Sequence, residues 1–250
     1  MAWHSGRVFY PAIRGLIRLF FPRIRVVGGE NCPAEPAIYV GNHSQMYGPI
    51  ACELYFPVRR YTWCAGEMMH RREVAAYAYR DFWSQKPRWT RPFYRLLSHL
   101  ITPLSVCVFN NADTIPVYHD GRLIATFRQA LARLQEGASM VIFPEHDVPA
   151  HPILAEFQDK FVDTARMYAA KTGKPIDFVP FYLAPKRREL HIGRPIRFDP
   201  ARPIAEERQR ICQELHREIV GIAEALPRHR VVPYRNIPKK DYPYNRPKED

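Results

Sequence analysis

The stretch Ala37-Ile38-Tyr39-Val40-Gly41-Asn42-His43-Ser44-Gln45-Met46-Tyr47-Gly48-Pro49-Ile50 runs from a short apolar segment into a polar turn and out again. Four apolar residues between a loop and a turn read as a buried strand, and Ile50 to Phe56 reads as a helix that stops before Pro57. His43 sits in the turn between them. A histidine fixed by a strand end, with its ring open to a cleft, is well placed to move protons. A lone histidine in a turn is more often structural or solvated, and this stretch alone leaves both readings open.

Working outward, the same alternation continues. Ile24 to Val27 reads as a strand closed by Gly28-Gly29, and Tyr61 to Ala65 as a buried strand. Glu67 to Tyr79 has helical spacing. Phe93, Leu96, Leu97, Leu100, Ile101 and Leu104 repeat at three and four, which predicts a helix bent or ended by Pro103, its apolar face being core or an acyl-chain groove. Thr114 to Tyr118 and Met140 to Phe143 read as strands. Between them Leu123, Ile124, Phe127, Ala130, Leu131 and Leu134 form one helical stripe stopped by Gly137. A helix is expected from about Glu156 to Lys171, strands at Ile176 to Leu183 and Leu190 to Ile192, and a last long helix from Ile204 to Leu226. Strands alternating with helices predict a single α/β domain with a largely parallel central sheet flanked by helices.

The ends differ from this core. Residues 7 to 22 interleave Phe9, Ile13, Leu16, Ile17 and Phe20 with Arg14 and Arg18, the composition of a helix lying in a lipid interface; a core helix with solvated arginines is the other reading. Residues 80 to 92 hold Trp83, Pro87, Trp89 and Pro92 and fit neither period, as a lid or membrane-touching loop would. Pro227 to Asp250 lacks apolar periodicity but is too aromatic for a freely disordered segment, which predicts a tail draped over the body. The expected organisation is an amphipathic membrane-associating segment at 1–30, an α/β domain at 31–226 and an extended tail at 227–250.

Composition narrows the function classes. The 250 residues carry a formal net charge of +12, which calls for an anionic partner. The basic residues are spread along the chain without a recognition element, which favours a membrane surface over nucleic acid. Five cysteines without a C-x-x-C pair fit a reducing compartment. No signal peptide is expected, because arginines interrupt the only candidate run, and no window of about 18 uninterrupted apolar residues predicts a spanning helix. His146 and His151 beside Glu145 and Asp147 suggest a metal cluster, but Pro149 and Pro152 deny helical spacing and no further ligand is signalled, so no metal is expected.

Three blocks in order resemble the glycerolipid acyltransferase family, which includes the 1-acylglycerol-3-phosphate acyltransferases: Asn42-His43-Ser44-Gln45, Ile115-Pro116-Val117, and Val141-Ile142-Phe143-Pro144-Glu145. Phe178-Val179-Pro180-Phe181 and Ile192-Gly193-Arg194-Pro195-Ile196 match the closing pattern, so the resemblance covers about residues 36 to 198. It implies that His43 is the general base and that Asn42, Ser44, His119, Phe143, Pro144, Glu145 and His146 line the substrate site. The reaction implied moves a fatty acyl group from acyl-CoA or acyl carrier protein to a lipid hydroxyl, with no bound cofactor, by a peripheral or monotopic protein on the cytoplasmic face of a membrane.

The sequence departs from the family pattern at its polar positions. The aspartate that orients the histidine, five residues on, is Gly48 here; a backbone carbonyl, Glu53 or a carboxylate from 80–92 is the expected substitute. The third block continues His146-Asp147-Val148 where the family has Gly-Thr-Arg, and His119 stands where an arginine is usual. These losses keep a second reading open, a catalytically silent lipid or acyl-thioester binding protein on the same fold.

Overall fold

The structure is a computed structural model that describes residues 6–84, 86–118, 120–146 and 153–246. Over these the chain divides into two compact units, Met1–Pro22 with Thr62–Thr126, and Arg23–Tyr61 with Phe127–Asp250. His119, Asp147, Val148 and His151 lie outside the described residues.

The larger unit is built on strands β1 (Arg25–Val27), β2 (Ala37–Gly41), β5 (Ser139–Ile142), β6 (Asp177–Ala184), β7 (Glu189–Ile192) and β8 (Ile196–Arg197). β2 runs parallel to both β5 and β6, and β1 runs parallel to β7, whereas β7 and β8 are antiparallel to β6. Every residue of β2 is buried, as expected of a strand between two parallel neighbours, and this is why it reads as an unbroken apolar run. Its last residue is glycine because a β-carbon at position 41 would enter the ring of Phe181 on the adjacent strand. Pro180 is tolerated inside β6 for a local reason. Its carbonyl accepts from the Gly193 amide at 2.8 Å, so its missing N–H faces the gap between β7 and β8 and removes no bond to β2.

Helices cover this sheet. α8 (Ile204–Ala225) presents Glu207, Ile211, Leu215, Ile219 and Ala223, each one turn apart and all buried, and packs along β6. α7 (Asp163–Thr172) closes in Gly173 at φ 72° and is shorter than the spacing predicts. The difference has a specific cause. The Gln158 amide donates to the Pro144 carbonyl and the His146 amide to the Glu156 carbonyl, each at 2.9 Å, so residues 156–158 are held alongside 144–146 instead of coiling. α2 (Tyr47–Tyr55) also belongs to this unit and begins earlier than the sequence indicates.

The chain passes along β3 (Arg60–Ala65) into the smaller unit, where β3 pairs in parallel with β4 (Thr114–Val117). Its helices are α1 (Gly6–Phe20), α3 (Val74–Ala78), α4 (Arg91–Leu100) and α5 (Thr102–Asn111), and α6 (Leu123–Gln135) leads back out. Glu67 to Tyr79 is broken into a 3-10 turn, α3 and a π turn at Tyr79–Trp83, so the single helix expected there does not form. Pro103 falls in the first turn of α5, where its missing N–H costs least, and the chain bends there. The apolar stripe of α4 is not core. Phe93, Leu96, Leu100 and Leu104 are all more than half exposed, as are Phe9, Leu16, Leu19 and Phe20 of α1 and the nearby Trp89.

Among the described residues no single helix is long and apolar enough to cross a membrane. The pair Arg88–Leu100 and Thr102–Asn111, bent by 44°, reaches the length and composition together.

Candidate active site

Strand register places the site. Val40 of β2 pairs with Ile142 of β5, so His43 and Glu145 each stand three residues beyond the same rung and meet at the C-terminal edge of the sheet. That edge is where open α/β sheets bind ligands. Glu145 turns inward and is buried; Oε1 accepts the backbone N–H of His43 at 2.6 Å and Oε2 that of Ala155 at 3.2 Å. Glu145 therefore clamps the main chain of the histidine to the loop after β5. Burial raises its pKa to about 7, against the lowering effect of the two amides.

Asn42 clamps from the other side. Its Oδ1 accepts the Leu183 amide at 2.7 Å, and its Nδ2 donates to the Leu183 carbonyl at 3.0 Å and to Ser44 Oγ at 2.9 Å. The side chain thus continues the pairing of β2 with β6 beyond the last strand residue. Asn42 and Ser44 are both buried, and these hydrogen bonds shape the turn. Ser44 and Gln45 adopt left-handed backbone, at φ 50° and 53°, and the Tyr47 amide closes on the Ser44 carbonyl at 3.2 Å. Two consecutive non-glycine residues at positive φ are uncommon and cost energy that the flanking clamps offset.

The half-buried imidazole of His43 makes T-shaped contacts with two aromatic rings. Phe143 stands 5.1 Å away at 69° and Tyr234 4.9 Å away at 75°, centroid to centroid. Burial lowers the His43 pKa to about 4, partly opposed by a backbone hydrogen bond with Gln45, so the ring is neutral at neutral pH. No side chain among the described residues bonds its Nδ1, and the Gln45 backbone is the polar partner that acts on the ring.

Of the expected substitutes for the aspartate, Glu53 pairs with Arg60 at 2.6 Å, and a backbone group, that of Gln45, acts on the ring. The absence of an aspartate at position 48 is built into the turn. A β-carbon on Gly48 would lie 2.9 Å from the carbonyl carbon of His43 and closer still to its oxygen.

Of the other expected residues, Phe143 borders the His43 ring and Pro144 is buried with its carbonyl accepting from Gln158. His146 is exposed at the end of the described segment. Among the described residues, no group of three or more His, Cys, Asp or Glu side chains is arranged to hold a metal ion. Sequence reasoning missed Tyr234, Tyr182 and His229. Tyr182 lies close enough to Glu145 for that charge to act, after burial, in raising its pKa, and its hydroxyl bonds His229 Nε2 at 2.9 Å. His229 Nδ1 donates to the Pro227 carbonyl at 2.9 Å, which leaves Nε2 to accept from Tyr182 when the ring is neutral. The signal for Tyr234 and His229 was the aromatic content of the tail.

No family model and no curated protein matches the chain. It is similar to a solved structure, the 1-acyl-sn-glycerophosphate (LPA) acyltransferase PlsC from Thermotoga maritima, with 18% sequence identity and a TM-score of 0.49 over 89% of this chain and 80% of that one. So distant a likeness carries no residue role across.

Proposed function

We propose that the protein is an acyltransferase that moves a fatty acyl group from a thioester, acyl-CoA or acyl carrier protein, to a lipid hydroxyl, with His43 as general base. The observation that carries this reading is a neutral imidazole held at the sheet edge by Glu145 and bordered by Phe143. The ordered sequence blocks that resemble glycerolipid acyltransferases support it. In the reaction, the acceptor oxygen attacks the thioester carbonyl while its proton passes to a nitrogen of His43. The tetrahedral intermediate then collapses with cleavage of the C–S bond, and the imidazolium returns the proton to the departing thiolate. The Gln45 backbone, the neighbouring aromatic rings and the clamped main chain orient the ring.

Two further parts of the reading concern the membrane and the acceptor. The exposed apolar side chains of α1, α4 and α5 and the +12 charge fit a peripheral or monotopic protein on an anionic, cytoplasmic membrane face. The acceptor is a lipid alcohol or amine other than lysophosphatidate, a reading supported by His119 where the family has an arginine and by His146-Asp147-Val148 where it has Gly-Thr-Arg.

Gly48, where the family has an aspartate, favours a second reading, a silent lipid or acyl-thioester binder. A labelled long-chain acyl donor offered with lysophosphatidate and phosphate-free monoacyl lipids at equal concentration separates these outcomes. Transfer to the phosphate-free acceptor is expected, preference for lysophosphatidate would overturn the acceptor assignment, and binding without transfer would establish the silent reading.

A further inference from the structure

The segment Pro185-Lys186-Arg187-Arg188 brings three consecutive cations to the sheet edge where His43 stands. β6 runs parallel to β2, and Asn42 bonds both backbone groups of Leu183, so the chain leaves β6 beside the turn that holds His43. It reverses through a 3-10 turn at Pro185–Arg187 into the antiparallel β7. This reversal is tied to the His43 turn, because the Tyr47 hydroxyl donates to the Pro185 carbonyl at 3.4 Å. Arg188 is close enough to Tyr47 for its charge to lower the tyrosine pKa, against the larger raising effect of burial.

The three cations are not equivalent. Arg187 donates from Nε to Glu189 Oε2 at 3.0 Å, and that buried carboxylate is also met by Arg25 and His191. Lys186 and Arg188 are exposed, and neither forms an ion pair or a side-chain hydrogen bond among the described residues. Arg188 also sits at φ 56°, ψ 42°, a left-handed conformation that glycine or asparagine adopts at lower cost. The turn itself therefore gives no reason for an arginine at this position. An unanswered ammonium and guanidinium two residues apart, on a turn anchored to the one that holds His43, form a positive rim suited to phosphate oxygens.

We propose that Lys186 and Arg188 bind the phosphate of the acyl donor's phosphopantetheine arm. The choice of ligand rests on the acyltransferase reading, in which the acceptor is not lysophosphatidate and the donor is a thioester. Coenzyme A and acyl carrier protein both present that thioester at the end of a phosphorylated pantetheine, so the two donors share the group that this rim recognises. Holding the phosphate leaves the flexible arm to carry the thioester carbonyl to His43. Binding energy collected at a group remote from the reacting carbon is thereby used to position it.

Calorimetric titration of the full-length protein with coenzyme A, and with pantetheine as the same arm without phosphate, reads the site independently of turnover. At low salt coenzyme A should bind at least about tenfold more tightly than pantetheine. Lys186→Gln combined with Arg188→Asn should weaken coenzyme A about tenfold or more, to the level of pantetheine. Asparagine suits the left-handed position, so urea unfolding should show no loss of stability. Lys171→Gln combined with Lys174→Gln removes the same charge from the opposite end of β6 and should leave binding unchanged. Acyl carrier protein bearing the phosphorylated arm, titrated in parallel, tells the two donors apart by which loses more affinity in the first variant. Absence of binding by both donors, no loss in the first variant, an equal loss in the control, or a loss confined to lysophosphatidate or anionic vesicles would overturn the proposal. If coenzyme A binds as expected and no acyl group is transferred, the acyltransferase reading fails while the site stands.

Discussion

The carbonyl of His43 occupies the space that any side chain at Gly48 would need: a β-carbon there would meet the carbonyl carbon at 2.9 Å. The departure from the histidine-aspartate pattern is thus a property of the turn's backbone. Restoring the aspartate should not restore a dyad. Gly48→Asp must push the turn open, at a cost of about 1–3 kcal/mol by the usual measure of overpacking, and should lower acyl transfer together with stability. Chemical denaturation and a transfer assay on the same preparation check this. A variant as stable as wild type and faster would show that the turn accommodates an aspartate.

His43 and Glu145 oppose one another in their dependence on pH. His43 has a folded pKa of about 4 against about 6.5 unfolded, so the native state binds fewer protons between those values and its contribution to stability grows as pH rises from 4 to 6.5. Glu145 has a folded pKa of about 7 against about 4.5 unfolded, so the native state binds more protons and its contribution falls as pH rises from 4.5 to 7. The two slopes offset each other in wild type over the shared window. Relative to wild type, Glu145→Gln should therefore gain stability as pH rises through 4.5 to 7, and His43→Gln should lose it between 4 and 6.5. Urea unfolding at pH 4.5, 5.5 and 6.5 measures both; parallel curves for the three proteins would contradict the assignment.

The exposed faces of α1 and α4 predict interfacial binding. Replacing Leu19 and Phe20, 76% and 80% exposed, with serine should leave the fold intact and weaken sedimentation with anionic vesicles by about tenfold or more, since each large side chain withdrawn from water contributes about 1.5–3 kcal/mol. Substituting Arg14 and Arg18 with glutamine should reduce the salt dependence of binding. Binding unaffected by either pair would place the membrane-facing surface elsewhere.

Much of this arrangement is legible in the sequence, and the exceptions share a cause. Apolar runs locate β2, β5 and β6 because strands buried on both faces leave no alternative composition. Helical spacing locates α6 and α8 for the same reason of repeated burial. Residues 156 to 162 carry helical spacing yet begin as an extended segment, because pairing with Pro144 and His146 takes their backbone bonds. The apolar stripe of Phe93 to Leu104 reads equally as core or groove, and its exposure excludes the core, which periodicity cannot do. At the site, a turn after β2 with His43 in it could be read locally. That Asn42 and Glu145 hold backbone follows from their residue types at a strand end; which backbone they hold does not, since each partner lies more than 100 residues away. Tyr234 reaches His43 only because Asn245 folds the tail back, a relation that no local pattern encodes.

The central claim is that His43 moves the acceptor's proton, and it is tested most directly by following label from a long-chain acyl-CoA into a lipid extract with wild type and His43→Ala side by side, after circular dichroism has shown both folded. Loss of a general base typically costs 10²–10⁴-fold, so transfer by the variant should fall by about that factor, and the wild-type rate should hold down to about pH 5 before declining as the imidazole protonates near pH 4. Transfer by folded His43→Ala within a few-fold of wild type would contradict the account.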